Sequence, residues 1–442
     1  MAHYLPHTDA EIAEMLDFIG LSSLDELFTC VPEALRLAGG LDIPAGLSEF
    51  DTAAEMERLA GLNSGADLIC FAGGGAYDHD IPSAVRRLAG RTEFVTAYTP
   101  YQPEVAQGVL QALFEYQTMV ARLSGLEIAN ASLYDGATAL VEAVNLAVAA
   151  NGNQDVLVSQ GINREWNEVV RTFAAGTGHR LVDVGLRNGV TDWTGVQDRP
   201  AGAIVVQYPN RLGVLDDMDA AAATARAAGA MLVVAFDPVA AAVLKSPGAW
   251  GADVAVGEGQ PFGTPMSFGG PYLGLFAARL EHVRRIPGRL VGETADAKGR
   301  RSFTTTLRTR EQDIRREKAS SNVCTNQTLI AVTAMIQMGW LGKAGLVDVA
   351  TQCARGTRYL RESLAGVDGI TPLVSAPTFR EFAIKTQVSP TTVIERMADE
   401  GFLAGTATDD GAGTDGLLVA VTEKRTRAEI DAYVAALEKA VR

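Results

Sequence analysis

The chain has 442 residues and a formal charge of −15, with 47% hydrophobic and 21% charged residues. These proportions are those of a soluble globular protein and exclude a disordered or collagen-like chain, and the acidic charge argues against nonspecific binding to nucleic acid or to an anionic membrane. Four cysteines without a CxxC pair are too few for a disulfide scaffold. With no recognisable signal peptide, they favour the reducing cytoplasm. The five histidines lack the spacing of metal ligands, so we expect no metal site.

The first 90 residues predict a helical arm. Apolar residues share one face of a first helix, which Thr8 or Asp9 can cap, and residues 48–62 predict another short helix. The alternation typical of a strand does not occur before Leu68. A helical layer without a sheet of its own must pack against a neighbour, so we expect its first part, about residues 1–60, to take part in a subunit interface.

Residues 91–325 predict a larger α/β domain, which starts with a long helix over residues 103–124. Short apolar strands follow, separated by helices: QDVLVS, HRLVDV, AGAIVVQ, AMLVVAF, ADVAVG and YLGLFAA. Strands that alternate with helices predict a mostly parallel sheet with its ligands at the carboxyl ends of the strands. Residues 326–442 combine helices with the strands REFAIKT and DGLLVAV, which predicts a smaller α+β domain.

Two positions in the larger domain are typical of enzymes that use pyridoxal phosphate (PLP). Asp237 ends a strand, where many such enzymes pair an Asp with the pyridinium nitrogen, although an Asp-Pro pair equally marks a turn. Resemblance to the fold of these PLP enzymes places the Lys that would bind PLP covalently within residues 256–274. This stretch contains no Lys. Gln260 lies about where the Lys should be. In addition, Asp135 begins a helix and would repel a phosphate there.

Two further features allow a structural or a functional interpretation. Tyr98 and Tyr101 flank Pro100 just before the long helix, either as a packed aromatic turn or as a rigid wall of a substrate site. Residues 279–318 contain twelve Lys and Arg against six Asp and Glu. Such a stretch is either a solvated connection between domains or a basic surface that faces an anionic partner.

Five motifs resemble the P-protein family of the glycine cleavage system. These motifs are TAYTPYQPE (96–104), NASLYDGATAL (130–140), VGEGQPFGTPMSFGGPYLG (256–274), GRLVGET (288–294) and IRREKASSNVCTNQ (314–327). The resemblance implies a PLP-dependent aspartate aminotransferase-like fold (fold type I). The chain is similar to the N-terminal half, or subunit 1 (alpha), of that family. The Schiff-base Lys of the family lies in the other half, which agrees with Gln260 in this chain.

The family resemblance also implies a reaction and its partners. Glycine is decarboxylated, and the aminomethyl group passes to the lipoyl arm of the H-protein. We expect this chain to be inactive alone and to have no catalytic residue of its own, since a homologous subunit 2 (beta) would bind the PLP, with both subunits in a heterotetramer. Motif position implies that Tyr98 and Tyr101 form walls near the substrate and that Asn322 and Thr325 are polar groups near the cleft. No nucleic acid or membrane is expected as a partner.

The basic stretch suggests where a carrier would dock. Carriers of the resembled system are typically acidic and this chain is acidic overall, so their encounter needs a local basic surface. We expect it to include Arg284, Arg285, Arg300 and Arg301. Two other interpretations stay open: a self-sufficient PLP enzyme, against which the missing Lys argues, and a noncatalytic scaffold that only docks a lipoyl carrier.

Overall fold

A computed structural model describes residues 6–37, 41–95, 99–267 and 269–442, in two compact units divided after Ser64. The first unit contains α1 (Asp9–Ile19) and α2 (Glu49–Ala60), with short 3-10 helices at Leu24–Phe28 and Glu33–Leu35 between them. Thr8 caps α1, as the sequence predicts. None of the side chains that the structure describes in this unit is buried.

The second unit begins at Gly65 and contains the other helices and strands. Its first half comprises β1 (Ile69–Cys70), α3 (Ser83–Ala89), α4 (Thr92–Val95), α5 (Gln107–Ser124), β2 (Ile128–Ala129), α6 (Gly136–Asn151), β3 (Asp155–Ser159), α7 (Arg164–Thr177), β4 (Arg180–Val184), β5 (Leu186–Arg187) and β6 (Val190–Thr191). Next come β7 (Ala203–Tyr208), α8 (Met218–Ala228), β8 (Met231–Phe236), β9 (Val254–Glu258), β10 (Gly274–Ala278), β11 (Val291–Ala295), β12 (Arg301–Thr305) and α9 (Gln312–Arg315). The last part comprises α10 (Thr328–Leu364), β13 (Ile370–Pro372), β14 (Glu381–Thr386), α11 (Pro390–Asp399), β15 (Phe402–Leu403), β16 (Thr406–Asp409), β17 (Asp415–Ala420) and α12 (Arg427–Ala440).

A seven-stranded sheet in the order β2-β10-β9-β8-β7-β3-β4 forms the centre of this unit. The five strands from β9 to β4 run parallel, and β10 runs antiparallel to both of its neighbours, β9 and β2, so the predicted mostly parallel sheet is confirmed. Both faces are buried: Leu232 and Val234 of β8 pack on one side, and Val233 and Ala235 pack on the other. Burial on both faces explains why the strands are continuous apolar runs.

The C-terminal part contains a second sheet, β13-β14-β17-β16, which is antiparallel. Its strands β14 and β17 and its helices α11 and α12 match the predicted α+β pattern, whereas β13 and β16 were not predicted. Strand β1 pairs in parallel with β15, so residues 65–90 belong to the second unit and not to the arm predicted over residues 1–90. The predicted division near residue 325 stays a prediction.

Helix α10 joins the central and C-terminal parts. It bends at Gly342, whose backbone has φ 59° and ψ −175°, so its two sides correspond to the helices predicted over residues 327–341 and 345–365. By length and composition alone this helix could cross a membrane, but core helices of soluble proteins meet the same test. Ala331 and Ala334 of α10 are packed in the core.

Candidate functional site

The loop before α6 is held by carboxylates rather than open to a phosphate. Asp135 caps the helix and accepts a hydrogen bond from the Thr138 backbone N–H at 2.7 Å. The Glu258 side chain accepts another from the Gly136 N–H at 3.0 Å. A helix N-terminus attracts anions through its free N–H groups, and here two carboxylates already take them.

Gln260 is 1% exposed, and the second unit holds its side-chain amide in place. The Gln260 Oε1 accepts from the Tyr77 backbone N–H at 2.9 Å, and its Nε2 donates to the carbonyl groups of Tyr77 at 3.0 Å and Thr264 at 2.8 Å. The Glu258 carboxylate accepts from the Gln260 backbone N–H at 2.9 Å. At the position where a Schiff-base Lys was expected to be absent, the Gln260 side chain is thus used to hydrogen-bond neighbouring backbone groups.

Asp237 is paired with a buried arginine. Its Oδ2 lies 2.7 Å from Arg380 Nη2, and the Arg380 guanidinium stacks on the Tyr77 ring at 3.4 Å from the ring centre. The Tyr77 hydroxyl donates to Glu381 at 2.9 Å, and burial raises the pKa of Glu381 to about 7. The Asp237 carboxylate, which would have to pair with a pyridinium nitrogen, is therefore already paired with Arg380.

These groups enclose a small cavity of about 40 Å³, lined by Tyr77, Asp237, Glu258, Arg380 and Glu381 among others. That volume holds a few water molecules but not an aromatic ring. No Lys in it can bind PLP covalently, its acid is ion-paired, and the nearby helix N-terminus is capped. The residues of this pocket therefore do not fit PLP, and we derive no chemical step through the cofactor in this chain.

His79, Cys353 and Glu423 form a neighbouring cluster with the residue types of a metal site. Two of its ligand atoms, however, carry protons that a metal ion would have to displace. Arg380 donates to His79 Nε2, so the ring proton must sit on Nδ1, which lies 2.7 Å from Glu423. A metal ion would need the lone pair at Nδ1, which this proton occupies. Burial raises the pKa of the Cys353 thiol, which disfavours the thiolate that a metal would bind.

The family motifs converge at a second place, around Arg289, which is 2% exposed. Its Nη2 donates to the Tyr101 hydroxyl and to the Cys324 carbonyl, the latter at 2.8 Å. The half-exposed Tyr101 ring lies between two guanidinium groups, 4.3 Å from that of Arg289 and 4.9 Å from that of Arg308. The structure therefore brings the segment of Tyr101 against the 321–327 loop.

The other predicted site residues have the following places. The half-buried Thr325 donates its backbone N–H to the Tyr134 hydroxyl at 3.4 Å. Asn322 is exposed, and its carbonyl accepts from Gln312 Nε2 at 3.1 Å. Tyr98 lies outside the described residues. The roles of Tyr98 and Tyr101 as walls near the substrate, and of Asn322 and Thr325 as polar groups near the cleft, stay predictions.

The four arginines expected to dock a carrier differ in their partners. Arg284 and Arg285 are exposed, and their side chains make no hydrogen bond or ion pair with the part of the chain that the structure describes. The other two are ion-paired at 2.8 Å, Arg300 with Asp296 and Arg301 with Glu293. Arg284 and Arg285 therefore present more net positive charge to a partner than Arg300 and Arg301 do.

Two groups of buried charges were not predicted from the sequence. The basic stretch was expected to face solvent or a partner, yet Arg289, Arg310 and Glu311 within it are buried. Arg380 and Glu381 were expected only to begin a strand. A signal was available for Arg289, because it lies in the motif GRLVGET, and motif arginines next to apolar residues are candidates for burial.

Comparisons with known proteins identify the family. The sequence pattern of the glycine cleavage system P-protein matches residues 2–437. The chain is 48% identical to a probable glycine dehydrogenase (decarboxylating) subunit 1 of Chlorobium phaeobacteroides, with 98% of each chain covered. It is 44% identical to the protein of the same name from Desulforamulus reducens, with 98% of this chain and 99% of the relative covered.

Solved structures agree with this result. A crystal structure of glycine decarboxylase (P-protein) of the glycine cleavage system, in inhibitor-bound form, matches with a TM-score of 0.92 and 44% identity over 99% of this chain and all of that chain. A cysteine desulfurase from Thermococcus onnurineus matches with a TM-score of 0.61 at 14% identity, over 90% of this chain and 99% of that one, which shows the fold alone. The expected fold type I is confirmed.

Proposed function

This chain belongs to the glycine cleavage system P-protein family, and we propose that it is the subunit of glycine dehydrogenase (decarboxylating) that does not carry PLP. A homologous subunit 2 would bind the cofactor, and a cytoplasmic heterotetramer of both would decarboxylate glycine and pass the aminomethyl group to the lipoyl arm of the H-protein. One observation supports this proposal most: the buried side-chain amide of Gln260, which lies about where the resemblance puts the Schiff-base Lys, is hydrogen-bonded to Tyr77 and Thr264.

The contribution of this chain to the shared active site would come from the motif cluster around Arg289. Tyr101 is 43% exposed, and Asn322 is exposed on the neighbouring loop. Arg289 holds the Tyr101 hydroxyl and the Cys324 carbonyl in place, and side chains that stay open on one side suit a surface that another subunit completes. Together with Thr325 and Tyr98, they would line the entrance to the PLP of the partner and hold the substrate in place.

The N-terminal unit supports a large interface with the partner. Its described side chains include no buried residue, and many large apolar ones are exposed, among them Phe18, Phe28, Leu35, Phe50 and Leu62. Exposed apolar surface on this scale marks an interaction site. Because the partner is a homologous subunit, we expect a chain that starts at Gly65 to lose its co-purification with subunit 2.

The carrier would dock on the basic surface of residues 279–318. Electrostatic steering suits a carrier that must bind and leave in each cycle, since it raises the association rate without a large dry interface. Arg284 and Arg285 are the stronger candidates because their charges have no partner among the described residues. Arg300 and Arg301 would contribute less, since each is paired with a carboxylate.

Reconstitution tests the proposal. The exchange of labelled carbon dioxide with glycine is measured with this chain alone, with subunit 2 alone and with both, each with PLP and lipoylated H-protein. We expect exchange only in the mixture. Exchange by this chain alone would contradict the proposal. Full exchange by subunit 2 alone would show that this chain is a noncatalytic scaffold.

A further inference from the structure

Three arginines surround one buried carboxylate in the motif cluster. Burial raises the pKa of Glu311, and the charges of Arg289, Arg310 and Arg308 act to lower it. The shortest of these approaches is 3.6 Å, from Arg289 Nη1 to Glu311 Oε2, which is longer than a charge-assisted hydrogen bond. The Asp313 carboxylate adds one charge at the edge, 2.7 Å from Arg308. Positive charge is therefore in excess in this cluster.

The same arginines leave most of their donors unused. The buried nitrogen atoms without a hydrogen-bond partner, in the part of the chain that the structure describes, are Arg289 Nε and Nη1, Arg308 Nε, and Arg310 Nε and Nη2. Arg289 is 2% exposed and Arg310 is 7% exposed. Burying a charged donor without a partner is costly, and native proteins rarely leave such groups unsatisfied. Glu311 Oε1 also lacks a partner, so the carboxylate of the cluster does not satisfy these donors. Two buried arginines in this state next to a loosely placed carboxylate indicate a missing acceptor.

The backbone around the cluster is strained as well. In the described residues, four non-glycine residues have positive φ, and three of them lie in the segments that form this cluster: Ser132 at 107°, Leu307 at 53° and Arg316 at 54°. Such conformations are costly and concentrate at binding and catalytic sites. Leu307 directly precedes the segment that carries Arg308 and Arg310.

The cluster is open to solvent at one edge. Tyr101 is 43% exposed, and the Arg308 side chain, whose guanidinium lies 4.9 Å from the centre of the Tyr101 ring, is 34% exposed. Arg289 donates to the Tyr101 hydroxyl, so the buried arginine is in contact with this exposed edge.

We propose that Arg289 and Arg310 form a binding site for one small oxyanion, a carboxylate or phosphate group, with Arg308 at its entrance. A planar guanidinium with free N–H groups binds two oxygen atoms of such an anion side by side. Glu311 occupies this position loosely and would give way to the ligand. The site lies in this chain alone, so the inference does not depend on the proposed decarboxylation or on the partner.

Thermal unfolding and calorimetry of the full chain test the site. The probes are sodium phosphate and sodium acetate, with sodium chloride at matched ionic strength as the baseline. A ligand that binds only the folded state raises the unfolding temperature with concentration. We expect at least one of the two probes to do so. Phosphate alone identifies a phosphate site, and acetate alone identifies a carboxylate site. No effect of either probe beyond that of chloride would overturn the proposal.

Variants assign the effect to the two arginines. Arg289→Met and Arg310→Met should each weaken binding of the active probe at least about tenfold, since each removes charge-assisted hydrogen bonds. Arg358→Gln removes an exposed arginine far along α10 and should leave binding unchanged. Unchanged affinity in both Met variants would overturn the proposal.

Glu311→Gln gives an independent test that does not require removal of an arginine. It removes the only buried competing carboxylate of the described cluster, so the affinity for the active probe should rise several-fold. If the cluster were only a structural ion pair, Glu311→Gln would lower stability without any gain in affinity for the probe. That result would contradict the proposal. The test remains decisive even if both Met variants fail to fold.

Discussion

Two regions of buried charge lie on either side of the loop that leads into α6, and they differ in how well their charges are paired. In the pocket around Gln260, Arg380 is bound to Asp237, His79 and the Tyr77 ring, and one of its nitrogen atoms, Nε, lacks a partner in the described structure. In the motif cluster, five guanidinium nitrogens lack one.

The difference indicates that the charges of the first region stabilise the fold, whereas those of the second are available to bind another molecule. A paired buried charge stabilises its own fold, and nothing else is needed to explain it. An unpaired buried charge is costly, so it persists only where a ligand or a partner subunit satisfies it. On this basis the pocket typical of PLP enzymes is closed in this chain, and we expect the motif cluster to be the place where the chain binds other molecules.

Removal of the buried cation of the closed pocket should have the largest effect. Arg380→Met leaves Asp237 unpaired among other carboxylates, and loss of one partner of a buried ion pair costs about 3–5 kcal/mol. We expect a clear fall in the urea concentration at the unfolding midpoint. Arg300→Met removes an exposed pair as the matched control and should change the midpoint little. Equal midpoints for both variants would show that the closed pocket is not held by its ion pair.

A buried acid below the motif cluster gives a pH-dependent effect of intermediate size. Burial raises the pKa of Glu142 to about 7, against the lowering effect of a hydrogen bond from Ser321. The folded protein therefore keeps a proton that the unfolded chain releases near pH 4.5, so stability falls as pH rises from about 4.5 to about 7 and changes little above that. The loss is on the order of 3 kcal/mol above pH 8.

Glu142→Gln tests that dependence. The variant cannot titrate, so its unfolding midpoint should fall less than that of the wild type between pH 6 and pH 8, measured as urea midpoints in buffers of equal ionic strength. Parallel pH profiles for both proteins would show that the proton is not held in the folded state.

The surface arginines should give the smallest effect. Reversing Arg284 and Arg285 to Glu is expected to raise the H-protein concentration needed for half-maximal exchange several-fold and to flatten its dependence on salt. The same reversal of Arg300 and Arg301 should have a weaker effect because their charges are paired. Equal carrier requirements in the wild type and both variants would mean that the stretch is only a solvated segment.

Much of the fold follows from local pattern. The strands of the central sheet were predictable because continuous apolar runs between helices are typical of a parallel sheet buried on both faces. Strand β1 could not be predicted, since its two residues depend on pairing with β15 more than 300 positions away. For the same reason the arm was predicted to extend to residue 90, although the first unit ends at Ser64.

The candidate site was predictable only in part. Asp237 could be found because it ends a strand, and Gln260 could be found because resemblance to PLP enzymes of this fold indicates where the Schiff-base Lys would lie. Arg380 as the partner of Asp237 could not, since the pairing joins the large sheet to the C-terminal part of the chain. Charge counting also misled for Arg289 and Arg310, because a basic stretch does not reveal which of its side chains turn inward.

The most direct test of the closed pocket is a trapping experiment on the full chain. The chain is incubated with PLP, reduced with borohydride and mapped by mass spectrometry, with subunit 2 treated in parallel as the positive control. Our account predicts a pyridoxyl-modified Lys in the active site of subunit 2 and no stoichiometric modification of any Lys in this chain. Stoichiometric PLP trapped on a Lys of this chain, such as Lys245, would contradict it.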